Sequence, residues 1–429
     1  MKKGICQGKP IFISLSPNVE SDDIRLVLKL IFRPWEWKRG KSIQLLEEKF
    51  KKYLGVKYAF SFNSGRSAWL AILKALNLKE GDEVLIQAFT CNAAVNPILA
   101  LGLKPVYVDI EKETLNLNPK DLEKKITNKS KVVLIQHTFG LPAQIDEILQ
   151  VCQRHNLILI EDCAHSLGAT YKEKKVGTFS KAAFFSFGRD KIISSVYGGM
   201  ATTNDPVLAK KLRHYQEKLR YPGYFWIFQQ LLHPILVEYL IKPLYRFDEL
   251  GRYLLILFQK IGILSKGVIK KEKKGRLPKY IPQKMPNALA ILAFNQMRKL
   301  KRFNEHRKEI AEIYKYEFRD IGLTSQKNQD GRIFMRYPLI LEGKDTDKIL
   351  KEFRKRKIFL DDGWRKTPIV PPDTDQKRMQ YQSGSCKIAE LVAEYIVNLP
   401  THINISKKEA RAISGLLKDF TSIDLSKEK

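Results

Sequence analysis

Between residues 84 and 187, short runs of apolar, β-branched and aromatic residues recur with helical spacing between several of them: VLIQAF (84–89), PVYVDI (105–110), KVVLIQH (131–137), LILIED (157–162) and AAFFSF (182–187). This alternation is the βαβ rhythm of a mainly parallel sheet flanked by helices, so the chain reads as α/β. One intervening helix has a clear start, with Asn118 as N-cap and Pro119 at the first helical position before KDLEKKI. From about residue 285 the pattern turns helical, NALAILAFNQMRKLKRFNEHRKEIAEIYKYEF, and then mixed, which predicts a smaller C-terminal α+β domain. The expected division is a large domain over 1–215, an apolar and basic insertion over 216–280, and a small domain over 281–429.

At 429 residues the chain is long enough for about two domains. Its 76 Lys plus Arg against 46 Asp plus Glu give a net charge of +30, a field that attracts nucleic acid, anionic lipid or phosphorylated metabolites. The lysines are spread along the chain and no helix-turn-helix, zinc-finger or RNA-binding aromatic motif is present, so a nucleic-acid partner is not expected. Cys6, Cys91, Cys152, Cys163 and Cys386 are odd in number and form no C-x-x-C pair, which predicts reduced thiols, no metal site and a cytoplasmic setting. The start, MKKGICQGKPIFISLSP, lacks the long apolar core of a secretory signal.

In FFSFGRDKIISS (184–195), Lys191 follows an apolar run that reads as a buried strand. It is therefore expected where a strand leaves the sheet, the place where open α/β sheets bind ligands; taken alone, one lysine among so many reads first as a solvated loop charge. In NSGRSAWLAILKAL (63–76), Trp69, Ile72, Leu73 and Leu76 share one helix face. The opening Ser64-Gly65-Arg66-Ser67 is a small turn whose free N–H groups and helix dipole suit a phosphate, although an ordinary capped helix would read the same. LILIED ends in Glu161-Asp162 before Cys163-Ala164-His165, and an acid there either meets a ligand or caps the next turn. In combination, an anion cradle, a strand-end aspartate and a later strand-end lysine are what pyridoxal 5'-phosphate requires.

The run from about 41 to 212 resembles the DegT/DnrJ/StrS-type sugar aminotransferases. The stretches that carry the likeness are QLLEEKFKKYLGVKYAFSFNSGRSAWLAI, DEVLIQAFTCNAAVNPILALGLKPVYVDIEKETLNLNP, QHTFGLPAQIDEI, LILIEDCAHSLGATYKEKKVGTFSKAAFFSFGRDK and GGMATTND, with VNLPTHINIS (397–406) similar to the family's closing motif. The resemblance implies the fold-type-I pyridoxal-phosphate architecture, with Lys191 as the Schiff-base lysine and Asp162 as partner of the pyridinium nitrogen. It implies that Ser186, with Ser64, Gly65 and Arg66, binds the cofactor phosphate, that Phe89 stacks on the ring, and that His165 lies against the cofactor. It further implies a homodimer that moves an amino group from an amino-acid donor, expected to be glutamate, to a keto group of a nucleotide-linked sugar for polysaccharide or glycoconjugate synthesis. A related branch removes a hydroxyl and has histidine at the lysine position, so Lys191 argues for transamination.

The chain also departs from the family's pattern. Arg66 stands where many members have threonine, and Val196-Tyr197-Gly198-Gly199 replaces Gly-Glu-Gly-Gly. The asparagine that reaches the partner subunit's cofactor phosphate has no counterpart in KYIPQKM (279–285). The apolar blocks of 222–274 are too short or too broken to span a membrane. They suit an interfacial element on anionic lipid at the inner face of a membrane, or a helical cover packed on the enzyme or on a dimer partner. The alternative to an enzyme is a non-catalytic or regulatory protein that keeps the fold and binds cofactor or membrane.

Overall fold

A computed structural model describes residues 9–247, 249–319 and 323–425; Cys6 lies outside them. Its centre is a seven-stranded sheet made of β1 (Tyr58–Phe62), β2 (Glu83–Gln87), β3 (Lys104–Val108), β4 (Ser130–Gln136), β5 (Ile158–Asp162), β6 (Ala182–Ser186) and β7 (Gly199–Thr203), in the order β1-β7-β6-β5-β4-β2-β3. Only β7 runs against its neighbours. The five runs read from the sequence are β2 to β6. β1 and β7 are found only in the structure: β7, GMATT, is fully buried yet opens on glycine and has little apolar character to announce it.

Each inner strand feeds two cores because successive side chains point to opposite faces. Val132 and Leu134 of β4 join one core, Val133 and Ile135 the other, and all four are at most 1% exposed. Helix α1 (Gly65–Ala75) lies on one face, and its Trp69 stacks on Phe184 of β6 at 5.4 Å. Burying side chains of this size contributes about 1.5–3 kcal/mol each, enough to fix the start of α1 against the sheet. At the other predicted helix start, the Asn118 side chain accepts from the Lys120 and Asp121 amides with Pro119 in the first turn.

Helix α4 (Asn287–Phe318) leads into a three-stranded antiparallel sheet of β8 (Thr324–Ser325), β9 (Arg336–Ile340) and β10 (Ile396–Pro400), backed by a helix over Lys407–Leu425. Between β9 and β10 the chain returns to pack on one face of the large sheet. Ile369–Val370 pairs with Thr90–Cys91, and Trp364, Ala389 and Val392 enter the core beneath α1.

The insertion forms α2 (Tyr224–Leu236), a wide turn over Val237–Ile241 and α3 (Leu250–Lys260). Ile227 and Leu231 of α2 are fully buried in the main core, and Val237, Ile241, Tyr245 and Leu264 form a smaller cluster with Phe12. The inner side of the insertion is thus a packed cover. No helix of the described residues is long and apolar enough to cross a membrane.

β7 passes so close to the start of α1 that a methyl group on Gly199 would lie 2.4 Å from the Gly65 amide nitrogen and the Ser64 carbonyl carbon. Both neighbours are backbone and cannot rotate away. Gly199→Ala is expected to lose about 1–3 kcal/mol of stability, measured by urea unfolding, as overpacked cores do. An unchanged midpoint would show that α1 is not held against β7.

Candidate active site

The carboxyl ends of β4, β5 and β6 open into a cavity of about 370 Å³ lined by Gln136, Asp162 and Ser186, and by the Ser64-Gly65-Arg66 turn that follows β1. A parallel sheet concentrates its ligand contacts at this edge. The Ser64 hydroxyl accepts from the Ser67 amide at 3.1 Å and so caps α1, leaving the Gly65 and Arg66 amides in the first turn, where helical acceptors are lacking. Ser186 faces the same turn: a methyl group on Gly65 would sit 2.9 Å from its Cβ.

The two acids at the end of β5 separate by strand alternation. Glu161, with no exposure, points away from the cavity and accepts from the amides of Gly177 (2.6 Å), Phe179 (3.0 Å) and Ser180 (3.1 Å), from the Ser180 hydroxyl (2.8 Å) and from His137 (3.2 Å). It is a structural anchor. Asp162 lines the cavity, and one of its oxygens accepts from the Ala164 amide at 2.9 Å. Burial lifts its pKa to about 6, against the pull of that amide and of the Lys191 and His137 charges.

Lys191 lies on the loop after β6, with Nζ 3.0 Å from His165 Nε2. The loop is tied down from far away: the Lys191 carbonyl accepts from the Asn18 side chain, whose oxygen accepts from Arg307 at 2.7 Å. His165 is 4% exposed, lies parallel to Phe139 at 5.6 Å and meets Trp364 edge-on at 4.8 Å. Burial, together with the Lys191 and Arg336 charges, holds its pKa well below the usual imidazole value. An ammonium has only donors, so a neutral His165 takes the Lys191 bond at Nε2 and carries its own proton on Nδ1.

The structure therefore gathers Ser64, Gly65, Arg66, Asp162, His165, Ser186 and Lys191 around one cavity. Phe89 is not among them. It is completely buried behind the site, edge-on to Trp364 at 5.4 Å and to Phe139 at 6.3 Å, and Cys91, two residues on, faces the cavity instead. Arg189, Tyr197, Trp364 and Gln259 also line it and were not read from the sequence as site residues. Trp364 and Gln259 lie in segments whose approach to the sheet has no local signal.

The chain matches the DegT/DnrJ/EryC1/StrS aminotransferase family over residues 18–227 and 256–418. It is 29% identical over 95% of its length to an uncharacterised protein of Methanocaldococcus jannaschii, covering 96% of that protein. It is 39% identical to a GDP-perosamine synthase of Caulobacter vibrioides, over 46% of this chain and 53% of the relative, so it spans about half the length of that curated protein. Among solved structures, the Helicobacter pylori aminotransferase PseC, involved in the biosynthesis of pseudoaminic acid, superposes with a TM-score of 0.73 at 24% identity, covering 96% of this chain and all of PseC.

Asp162 gives a pH signature in the cofactor-free protein. Its folded pKa of about 6 lies above the ordinary 3.8, so its penalty is absent below about 4, grows as pH rises between the two values and is complete above about 6. Asp162→Asn removes it. In urea unfolding the variant should be more stable than wild type at pH 8, with the gap closing as pH falls toward 4. A gap independent of pH would mean that Asp162 does not titrate in this range.

Proposed function

This chain belongs to the DegT/DnrJ/EryC1/StrS aminotransferase family, and we propose that it transfers an amino group from an amino acid such as glutamate to a keto group of a nucleotide-linked sugar, for polysaccharide or glycoconjugate synthesis. The observation that carries the reading is the meeting of Lys191, Asp162 and the Ser64–Arg66 turn in one cavity, with Lys191 Nζ 3.0 Å from a buried, neutral His165. The substrate class rests on named relatives such as the GDP-perosamine synthase; a non-catalytic role would leave this placement of Lys191 without a use.

The residues fit pyridoxal 5'-phosphate. A buried carboxylate that faces the cavity suits the protonated nitrogen of a pyridine ring, His165 Nδ1 is buried without an acceptor, and the space between Gly65 and Ser186 admits no side chain on the turn. Ser64, Gly65, Arg66 and Ser186 would hold the phosphate, Asp162 the ring nitrogen and Lys191 the covalent link. When bound, the cofactor supplies an electron sink for negative charge formed beside the substrate nitrogen. Lys191 in its neutral form carries a proton at Nζ, and His165 keeps that amine aimed into the cavity.

The outer face of the insertion supports a second contact. Most of the exposed large apolar side chains of the described residues lie between 224 and 261, and Leu250, Tyr253, Leu257 and Ile261 fall on one face at and just past α3. Residues 222–274 carry nine Lys or Arg against four Asp or Glu. A second copy would bring the same positive face, so the charge favours an anionic lipid surface at the cytoplasmic side of a membrane. The homodimer implied by the family resemblance is proposed through other surfaces.

Lys191→Ala should lower turnover by at least about 10²–10⁴-fold, the worth of a positioned proton carrier alone. Borohydride treatment of the cofactor-loaded wild type, followed by peptide mapping, should place the label on Lys191; a label on another lysine would overturn the assignment. The lipid contact predicts sedimentation with vesicles of anionic phospholipid at low salt and partial release as salt rises, because only the charge contribution is screened. Replacing the exposed Tyr253 and Leu257 by serine should weaken sedimentation without changing cofactor absorbance. If instead the intact protein ignores vesicles and the same variants lose dimerisation, the face belongs to a second copy.

A further inference from the structure

We propose that residues 264–274 form a cap, supplied by the same chain, that closes the anion cradle and slows release of whatever phosphate group it holds. The inference rests on the reading of Ser64-Gly65-Arg66 as a phosphate site. Three residues in or beside that site reach across to this one segment. Arg66, in the first turn of α1, pairs with Glu272 and donates to the Gly267 carbonyl at 3.2 Å. Arg189, two residues before Lys191, donates to the Ser265 hydroxyl at 2.5 Å. Tyr197 donates to the Lys266 carbonyl at 2.6 Å.

The segment is itself anchored from behind. Glu272 has no exposure, its second oxygen accepts from the Ile269 amide at 3.0 Å, and its carbonyl accepts from Asn96 at 3.0 Å. Ser265 donates on to Gln230 of α2 at 2.7 Å. Gly267 and Val268 then stand at the cavity wall beside Arg66. Burying a carboxylate is costly unless it is paired, so Glu272 belongs where it is only while Arg66 faces it. The two departures noted in the sequence, Arg66 and Tyr197, are thus two of the three residues whose side chains bind the cap.

A cap of this kind separates retention of the anion from chemistry, and the test reads retention. Wild type is loaded with pyridoxal 5'-phosphate, freed of excess ligand and followed by absorbance as the cofactor is lost to a scavenger. In parallel, trypsin cleavage after the exposed Lys270, Lys271 and Lys274 is timed with and without inorganic phosphate. Phosphate should slow cleavage in wild type, and dilution should leave that protection unchanged because the cap is intramolecular. Glu272→Gln should release cofactor roughly ten-fold faster, the factor that losing about 1.4 kcal/mol gives, and should lose the protection. Because that variant leaves Arg66 unpaired and could fail to fold, Tyr197→Phe, which removes the bond to Lys266 and a long 3.4 Å contact with the Tyr280 hydroxyl, is measured beside it and should show a smaller change of the same sign. Release at the wild-type rate in a folded variant, or cleavage indifferent to phosphate, would overturn the cap while leaving the aminotransferase reading intact. Protection by phosphate in a protein that never takes up pyridoxal 5'-phosphate would support the cap and sink that reading.

Discussion

Asp162 is a carboxylate placed in a low-dielectric wall with a single amide for company, and among the described residues no cationic group forms an ion pair with it. Desolvating a charge without a partner is among the largest penalties a fold can carry. The site depends on this imbalance. It makes Asp162 a poor structural residue and a good partner for a cation delivered by a ligand, and the protonated ring nitrogen of pyridoxal 5'-phosphate is such a cation. Glu161, its neighbour, shows what a purely structural acid looks like on the same strand: five donors, no exposure and a pKa held below the usual range despite burial.

The sheet order delivers the other parts to Asp162. β5 and β6 are parallel neighbours with Phe184 opposite Asp162, so Ser186 and the Lys191 loop emerge beside the aspartate. β7 then runs back antiparallel and sets Gly199 against the Ser64-Gly65 peptide, which brings the Ser64–Arg66 turn from β1 to the same edge. Long-range ties complete the arrangement. Asn18 and Arg307, 289 positions apart and in direct hydrogen bond, hold the backbone around Lys191. Among the described residues Lys191 forms no ion pair; it is set by its backbone and by one neutral imidazole.

Much of this was legible in the sequence because it is local. Five strands, the capped start at Asn118 and the helix behind Ser64 follow from periodicity and turn chemistry, and their burial in the structure is the reason the patterns exist. What was not legible is what depends on distant packing. β7 is as long as the strands that were read but too small in its side chains to stand out, yet five buried residues come from it. Phe89 looked like a ring-stacking residue because it is the aromatic of QAFTCN; the strand pairing of Thr90–Cys91 with Ile369–Val370 leaves it in the core and Cys91 at the cavity. Arg66 and Tyr197 looked like unexplained departures, and only the folded position of the insertion gives them partners.

Helix α3 joins the two sides of the insertion. Leu255 and Gln259 line the cavity, while Leu250, Tyr253 and Leu257 are exposed on the opposite side of the same two turns. A helix with its side chains is about 10–12 Å across, so anything that seats on the outer face stands one helix diameter from the cavity. Gly251 fixes the helix in that place, because a methyl group there would lie 2.5 Å from the Ile241 carbonyl oxygen and 2.3 Å from the Tyr245 ring. The close contact prevents α3 from sliding independently of the turn over Val237–Ile241, whose buried side chains pack with Phe12. A surface engaged by α3 therefore meets a helix held to that turn, and the chain runs on from α3 through Leu264 and Ser265 into the segment that meets Arg66, Arg189 and Tyr197.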